Sequence, residues 1–217
     1  MNEEFLIDVF QVCWDVILEE SNINENGINK TYFDSEHCKI LDTTDTNFDI
    51  LENRLAYTYK YGCYNARFFE KCMLNFLNEC PNLEEVFPVR KLSVCSLSNG
   101  PGFDIIGLLC ALCRSNKPLK SLPKLNAVNV FNSWLALYKT LINKACKNIN
   151  LKFTDYICIK PENVNLFQGD LLLSTLPLEA KKCISKSNIL LMFKIFFSSR
   201  ATVNKFACSL RVSMSAL

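Results

Sequence analysis

The stretch LSVCSLSNGPGFD, residues 92–104, decides the fold that we predict for this chain. Its apolar part, 92–97, ends at a Ser-Asn-Gly-Pro-Gly turn, after which Asp104 opens a second apolar run over 105–112. This order predicts a buried strand, a tight turn and a helix. Gly100 and Gly102 can adopt backbone angles closed to other residues, and the next helix begins with unpaired N–H groups. We therefore expect a polar or anionic ligand of the nucleotide type at this corner.

The chain beyond this corner keeps alternating between strand-like and helix-like patterns. Apolar segments at 125–131, 164–167 and 189–197 are typical of strands, and segments 104–114 and 133–147 have helical spacing. This alternation predicts an α/β fold with a parallel, doubly wound sheet of about four strands, in which 189–197 is a central strand.

The N-terminal part of the chain has a different rhythm. Residues 3–20 and 48–77 have helical spacing, with a break expected near Gly62. We therefore predict a helical N-terminal cap over residues 1–88 and an incomplete Rossmann-like domain over residues 89–217.

Composition favours an intracellular globular protein without metal. The chain has 217 residues, 49% of them hydrophobic, and no apolar run nears the ~20 residues that span a bilayer. The acidic start, MNEEFLIDVF, is unlike a signal peptide, so we expect a cytoplasmic or nuclear location. The twelve cysteines are scattered along the chain, and most lie inside apolar runs, as expected of small buried hydrophobes. Cys110 and Cys113 form a single CxxC, and His37 adjoins only Cys38, so we expect no metal site.

Charge is divided unevenly along the sequence. Residues 1–56 carry 13 acidic and 3 basic side chains, whereas residues 57–217 carry 9 acidic and 21 basic ones. A basic face attracts polyanions, so RNA is the partner that this half of the chain suggests. A solvated lysine surface, partly neutralised by the acidic segment, is the more common origin of such a pattern.

Several motifs together resemble class I S-adenosylmethionine-dependent methyltransferases, and most closely a poorly characterised eukaryotic group. LSVCSLSNGPGFD followed by IIGLL is similar to their first motif, and RLAYTYKYGCYNA (54–66) is similar to an upstream tyrosine-rich segment of that group. NVFNSW (129–134), FQGDLL (167–172) and SNILLMFKIFFS (187–198) stand where the later strands would end or lie. The resemblance covers roughly residues 54–198 and implies S-adenosylmethionine as cofactor.

The resemblance also implies a set of cofactor-binding residues. The backbone from Ser96 to Gly102 would cradle the methionine part, Asn129 would contact ribose, and Asp170 would accept from the adenine amino group. Each has a plainer interpretation, namely an ordinary tight turn, a strand-end turn residue and a helix N-cap. The full predicted set is Ser96, Leu97, Ser98, Asn99, Gly100, Pro101, Gly102, Asp104, Asn129 and Asp170.

Departures from the family pattern leave three hypotheses open. Ser98 and Asn99 replace glycines, and Asn129 replaces an acid, so weaker cofactor binding is expected. Only some twenty residues follow Phe197, where the family has about three more strands, so the chain resembles a truncated methyltransferase.

The first hypothesis is a methyltransferase, with RNA as its substrate. The second is a catalytically inactive truncated isoform or binding module. The third, a dinucleotide-dependent oxidoreductase, lacks the third glycine of its fingerprint.

Overall fold

A computed structural model describes eight elements of this chain. The described residues are 11, 14, 15, 18, 47–79, 92–97, 100, 102–115 (at 113 the backbone alone), 124–140, 164–170 and 176–192. The elements are α1 (Leu51–Glu79), β1 (Ser93–Leu97), α2 (Phe103–Arg114), β2 (Lys124–Asn129), α3 (described over 132–140), β3 (Val164–Gln168), α4 (Leu178–Lys186) and β4 (Ile189–Leu191).

The four described strands form one parallel sheet in the order β3-β2-β1-β4. Val94 of β1 is in register with Leu125 of β2 on one side and with Ile189 of β4 on the other. The predicted α/β fold with a parallel sheet of four strands is therefore confirmed. Within the described residues β4 lies at an edge, because it pairs with β1 alone; the predicted continuation of this strand over 193–197 lies outside them.

Helices cover both faces of the sheet, as a doubly wound arrangement requires. Alternate residues of β1 and β2, including Val94, Leu125 and Ala127, join the large core cluster beneath α1, α2 and α3. The intervening residues, Cys95, Leu97 and Val128, pack with Ala180 and Ile184 of α4 in a smaller cluster. Because β1 and β2 are buried on both faces, apolar residues stand side by side, as in Val94–Cys95 and Ala127–Val128, rather than in strict alternation.

α1 and α2 approach each other closely at two glycines. A Cβ atom on Gly107 would lie 2.5 Å from the carbonyl oxygen of Ala66, and one on Gly62 would lie 2.7 Å from Cζ of Phe103. The break predicted near Gly62 is wrong, since α1 is continuous from Leu51 to Glu79. Gly62 instead provides the space that the Phe103 ring occupies. Glu70 and Arg114 join the same two helices through an ion pair of 2.8 Å.

Two predictions about the organisation of the chain, the N-terminal helical extension and the domain boundary, are tested only in part or not at all. Residues 11, 14, 15 and 18 are helical, and Trp14 contacts Tyr59 with ring centroids 5.8 Å apart. The rest of the N-terminal helical extension before residue 47 lies outside the described residues. The division into a cap over 1–88 and a domain over 89–217 stays a prediction.

Candidate functional site

The corner between β1 and α2 requires glycine at two positions. Gly100 and Gly102 have φ angles of 66° and 96°, in the left-handed region that side chains disfavour. A Cβ atom on Gly102 would also lie 2.6 Å from Cδ2 of Tyr138, so any side chain there would displace the ring. The backbone therefore turns from the end of β1 into α2 as the sequence predicted. Ser98, Asn99 and Pro101, also predicted to bind cofactor, lie outside the described residues.

Ser96 and Asp104 join the two sides of the corner. The Ser96 hydroxyl donates a hydrogen bond of 2.8 Å to Oδ2 of Asp104, and Oδ1 of Asp104 accepts from the backbone N–H of Ile105 at 2.7 Å. The Asp104 side chain is buried, with 2% of its surface exposed, in the first turn of α2. A carboxylate at this position is favoured by the helix dipole. Asp104 thus fixes the shape of the corner. Leu97, the last residue of β1, is fully buried.

The ends of β2 and β3 bring Asn129 and Asp170 onto neighbouring strands. Asn129 is in register with Gln168, and its carbonyl oxygen accepts from the N–H of Gly169 at 3.0 Å. Oδ1 of Asn129 accepts from the N–H of Phe131 at 3.1 Å. Asn129 therefore has the strand-end turn role that its plainer interpretation described. Asp170 follows Gly169 directly and is half-buried.

The strand order places this corner at a favourable point of the sheet. Because the strands are parallel, the ends of β1, β2 and β3 lie along one edge. From β1 the chain continues to β2 on one side, whereas β4, the last described strand, pairs with β1 on the other side. In open α/β sheets the crevice for ligands forms outside the carboxyl ends at such a reversal of strand order. The glycine corner directly follows the strand at which the order reverses.

An aromatic wall, composed of Phe48, Tyr57, Tyr61, Phe131 and Trp134, borders the corner. A Cβ atom on Gly100 would lie 3.4 Å from Cε1 of Tyr57 and 3.8 Å from two atoms of the Trp134 indole. The two rings contact each other with centroids 5.6 Å apart. Burial, with a smaller effect from Asp104 and then Tyr61, holds the pKa of Tyr57 well above its usual range. Tyr57 is therefore a neutral phenol at physiological pH.

The tyrosine-rich segment 54–66 is divided between different surroundings. Tyr57 and Tyr61 are in ring contact within the aromatic wall, at 5.3 Å, whereas Tyr59 is 40% exposed and packs on Trp14. Within this segment, Tyr57 is the tyrosine whose ring lies against Gly100. These contacts show that the tyrosines of this segment pack against other rings, some buried and some partly exposed.

The turn before α1, residues 47–50, is tied to the start of α3. The Ser133 hydroxyl contacts the Phe48 carbonyl oxygen at 3.1 Å and Oδ1 of Asp49 at 2.7 Å. The Arg54 guanidinium donates to the carbonyl oxygens of Phe48 and Asp49 at 2.8 and 2.9 Å. These bonds hold Phe48 within the aromatic wall. No local sequence pattern indicates this connection, because it joins positions 84 and 85 residues apart.

Within the described residues, no group of three or more His, Cys, Asp or Glu side chains is placed to hold a metal ion. Cys110 is fully buried in α2, while the side chain of Cys113 and all of His37 lie outside the described residues. Across the same part of the chain, no helix combines the length and apolar character needed to cross a bilayer.

Comparison with known protein families and with curated proteins finds no match to this sequence.

Proposed function

We propose that this chain binds S-adenosylmethionine at the β1–α2 corner and is a methyltransferase-like protein. One observation carries the proposal. The glycine corner follows β1 at the point where strand order reverses, and the neighbouring strands end in polar residues at the same edge. This is where open α/β sheets bind nucleotide-type ligands.

The contacts of the corner support specific roles. Left-handed Gly100 and Gly102 allow a ligand to approach the main chain beside the start of α2. Asp170 would accept from an adenine amino group, and Asn129 would face the ribose. Since Oδ1 of Asn129 already accepts from Phe131, its contribution to ribose binding would come from the amide N–H groups.

The choice of S-adenosylmethionine among nucleotide-type ligands rests on the resemblance of residues 54–66 and 92–107 to class I methyltransferases. Gly107 is the next glycine after Gly102, so the third glycine of a dinucleotide fingerprint is absent. Gly107 serves instead the close contact of α2 with the Ala66 carbonyl. This assignment disfavours the oxidoreductase hypothesis.

RNA is the acceptor that we propose to test first. The supporting observation is the excess of 21 basic over 9 acidic side chains in residues 57–217. Transfer from a sulfonium is an in-line displacement that depends chiefly on positioning and electrostatics, and the acceptor group decides whether a general base is needed.

Isothermal titration calorimetry of the full chain with S-adenosylmethionine tests the binding step. We expect saturable heat for the wild type and at least tenfold weaker binding for Gly102→Ala, which disturbs the corner. Gly62→Ala, a glycine change on the α1–α2 contact, is the matched control and should bind as the wild type does. Absence of heat at millimolar cofactor, or tighter binding of NADH in a parallel titration, would contradict the proposal.

Transfer of a tritiated methyl group to total RNA, and separately to total protein, tests the activity. Labelled RNA would support the proposed acceptor, and labelled protein would replace it. Binding without any transfer would favour the alternative of an inactive binding module. The occupied Oδ1 of Asn129, where the family has a charged acceptor for ribose, is the observation that favours this alternative.

A further inference from the structure

Two cysteines, Cys95 and Cys183, belong to β1 and to α4, which pack together on the side of the sheet opposite α1–α3. Cys95 belongs to β1, and its side chain is fully buried in the small core cluster with Ala180 and Ile184. Cys183 lies three residues after Ala180 and one residue before Ile184, on the side of α4 that faces the sheet. Both are free thiols in the structure, and Cys183 is partly exposed.

Asn126 shows that the two thiols lie at the same level of the sheet. Asn126 of β2 is the register partner of Cys95, and Sγ of Cys183 lies 3.5 Å from Oδ1 of Asn126. Neighbouring strands are separated by about 4.8 Å. Cys183 therefore lies over the neighbouring strand at the same level along the sheet as Cys95.

A second contact gives the same alignment independently. The hydroxyl oxygens of Ser93 and Ser187 are 3.5 Å apart, which pins the end of α4 to the start of β1. Cys183 is one helical turn before Ser187, a rise of about 6 Å. Cys95 is two strand residues after Ser93, a rise of about 6.6 Å. Since α4 runs against the direction of β1, these nearly equal steps place Cys183 opposite Cys95.

The Cys183 thiol also contributes to the raised pKa of the Cys95 thiol. Burial, followed by the effects of Cys183 and Asp104, raises the pKa of the Cys95 thiol to about 12. Cys95 is thus a poor first target for an oxidant, since the thiolate is the reactive form. The partly exposed Cys183 is the thiol that an oxidant meets first.

We propose that Cys95 and Cys183 form a thiol oxidation site at which a peroxide joins them in a disulfide. In the first step the Cys183 sulfur is oxidised to a sulfenic acid, while the peroxide O–O bond breaks and, for hydrogen peroxide, one water leaves. The Cys95 sulfur then attacks the sulfenic sulfur, its proton goes to the departing hydroxyl, and a second water leaves as the S–S bond forms. Two thiols lose two electrons in all, and the peroxide gains them.

The disulfide would fasten α4 to the strand whose end carries the candidate site. Cys95 immediately precedes Ser96, which bonds to Asp104 at the glycine corner. Oxidation would therefore restrict motion at the start of that corner. The oxidation site itself does not depend on the proposed cofactor.

Peptide mapping of the oxidised full chain tests the proposal. The purified protein is treated with hydrogen peroxide, its remaining thiols are blocked with N-ethylmaleimide, and it is digested with trypsin and Asp-N. Cleavage before Asp104 separates Cys95, in peptide 92–103, from the two cysteines of 104–114, while Cys183 lies in peptide 183–186. We expect a linked pair of 92–103 with 183–186 that disappears on reduction.

Variants make the result decisive. Cys183→Ser should abolish the linked pair, whereas Cys72→Ser, which removes an exposed thiol of α1, should leave its yield unchanged. Circular dichroism of each reduced variant checks that the fold persists. Recovery of 92–103 blocked or linked to another cysteine, under oxidation that fully modifies Cys72, would overturn the proposal.

Discussion

The two faces of the sheet are packed in different ways. Beneath α1, α2 and α3 the apolar core cluster is large, and α1 and α2 contact each other closely at Gly62 and Gly107. Beneath α4 the apolar cluster is small, and polar groups are buried with it. There Asn126 donates to Ser93 and Val94 and accepts from Asn165 and Cys183. The comparison suggests that close glycine contacts between helices are most important on the first face, and the hydrogen bonds of Asn126 on the second.

Gly107→Ala should cause the largest loss of stability among single changes on the α1–α2 side. The added methyl group would lie 2.5 Å from the Ala66 carbonyl oxygen, which belongs to the backbone of α1 and cannot rotate away. We expect the free energy of unfolding to fall by about 3 kcal/mol, as for severe overpacking of a core. Urea denaturation followed by circular dichroism measures this change.

Gly62→Ala is the control for that substitution. Its methyl group would meet Cζ of Phe103, the far end of a side chain that can move. Alanine also stabilises a helix interior by about 1 kcal/mol relative to glycine, so a net change within about 1 kcal/mol is expected. Equal losses for the two variants would show that backbone contact is not what distinguishes the glycines.

Gly102→Ala should have the next largest effect, because two costs combine. Its φ of 96° is strained for alanine, and the methyl group would lie 2.6 Å from the Tyr138 ring. We expect a loss of about 2 kcal/mol in unfolding free energy. In the double variant with Tyr138→Leu the ring contact is absent, so the glycine change should cost only about 1 kcal/mol. Full additivity of the two changes would mean that the ring does not restrict this corner.

The central part of the fold could be predicted from the sequence because its signals are local. The apolar run, glycine turn and second apolar run of 92–112 gave β1 and α2 with errors of one residue at their starts. α4 was not predicted. Its segment, LEAKKCISK, is short and rich in lysine, and its buried stripe in the structure consists of Ala180 and Ile184. So small an apolar face gives a weak periodic signal.

The sequence predicted those parts of the candidate site whose positions follow from the strand order alone. Parallel strands place Asn129 and Asp170 at one edge, so their position at neighbouring strand ends followed from the fold. The hydrogen bonds between Ser133 and the 48–49 turn, and the packing of Tyr138 on Gly102, were not predicted. These contacts join distant segments and depend on the angles between helices, which leave no pattern in either segment.

Asn126→Ala tests the hydrogen-bonded face and should cost less than the glycine changes. The substitution leaves the Asn165 amide and the Cys183 thiol without their common acceptor. Leaving a buried polar group unsatisfied costs about 1–3 kcal/mol, and because Asn165 is partly exposed we expect a value near the low end, ~1.5 kcal/mol. Asn165→Ala, which removes one of these bonds, should cost less than half as much. A larger loss for Asn165→Ala than for Asn126→Ala would show that Asn126 is not the centre of this network.

Alkaline pH should produce the smallest loss of stability among these predictions, and we expect this loss to come from the α4 face. Burial raises the pKa of the Cys95 thiol from 9.0 to about 12, so the folded state holds this proton more tightly than the unfolded state. The resulting stability is present below pH 9 and is lost as the pH rises from 9 towards 12. At pH 9.5, with reductant present, the loss from this one thiol is about 0.8 kcal/mol relative to pH 7.

Urea denaturation of Cys95→Ala at pH 7 and pH 9.5 isolates this contribution. The variant loses stability at both values because a buried side chain is shortened, so the informative quantity is the difference between them. We expect that difference to be smaller than in the wild type by about 0.8 kcal/mol. Tyr57→Phe, on the opposite face, should change it less at pH 9.5, because an ordinary tyrosine titrates near pH 10 and the unfolded chain has released little of that proton. If Tyr57→Phe reduced the difference more than Cys95→Ala does, the aromatic wall rather than the α4 face would be the first part of the sheet packing to respond to alkali.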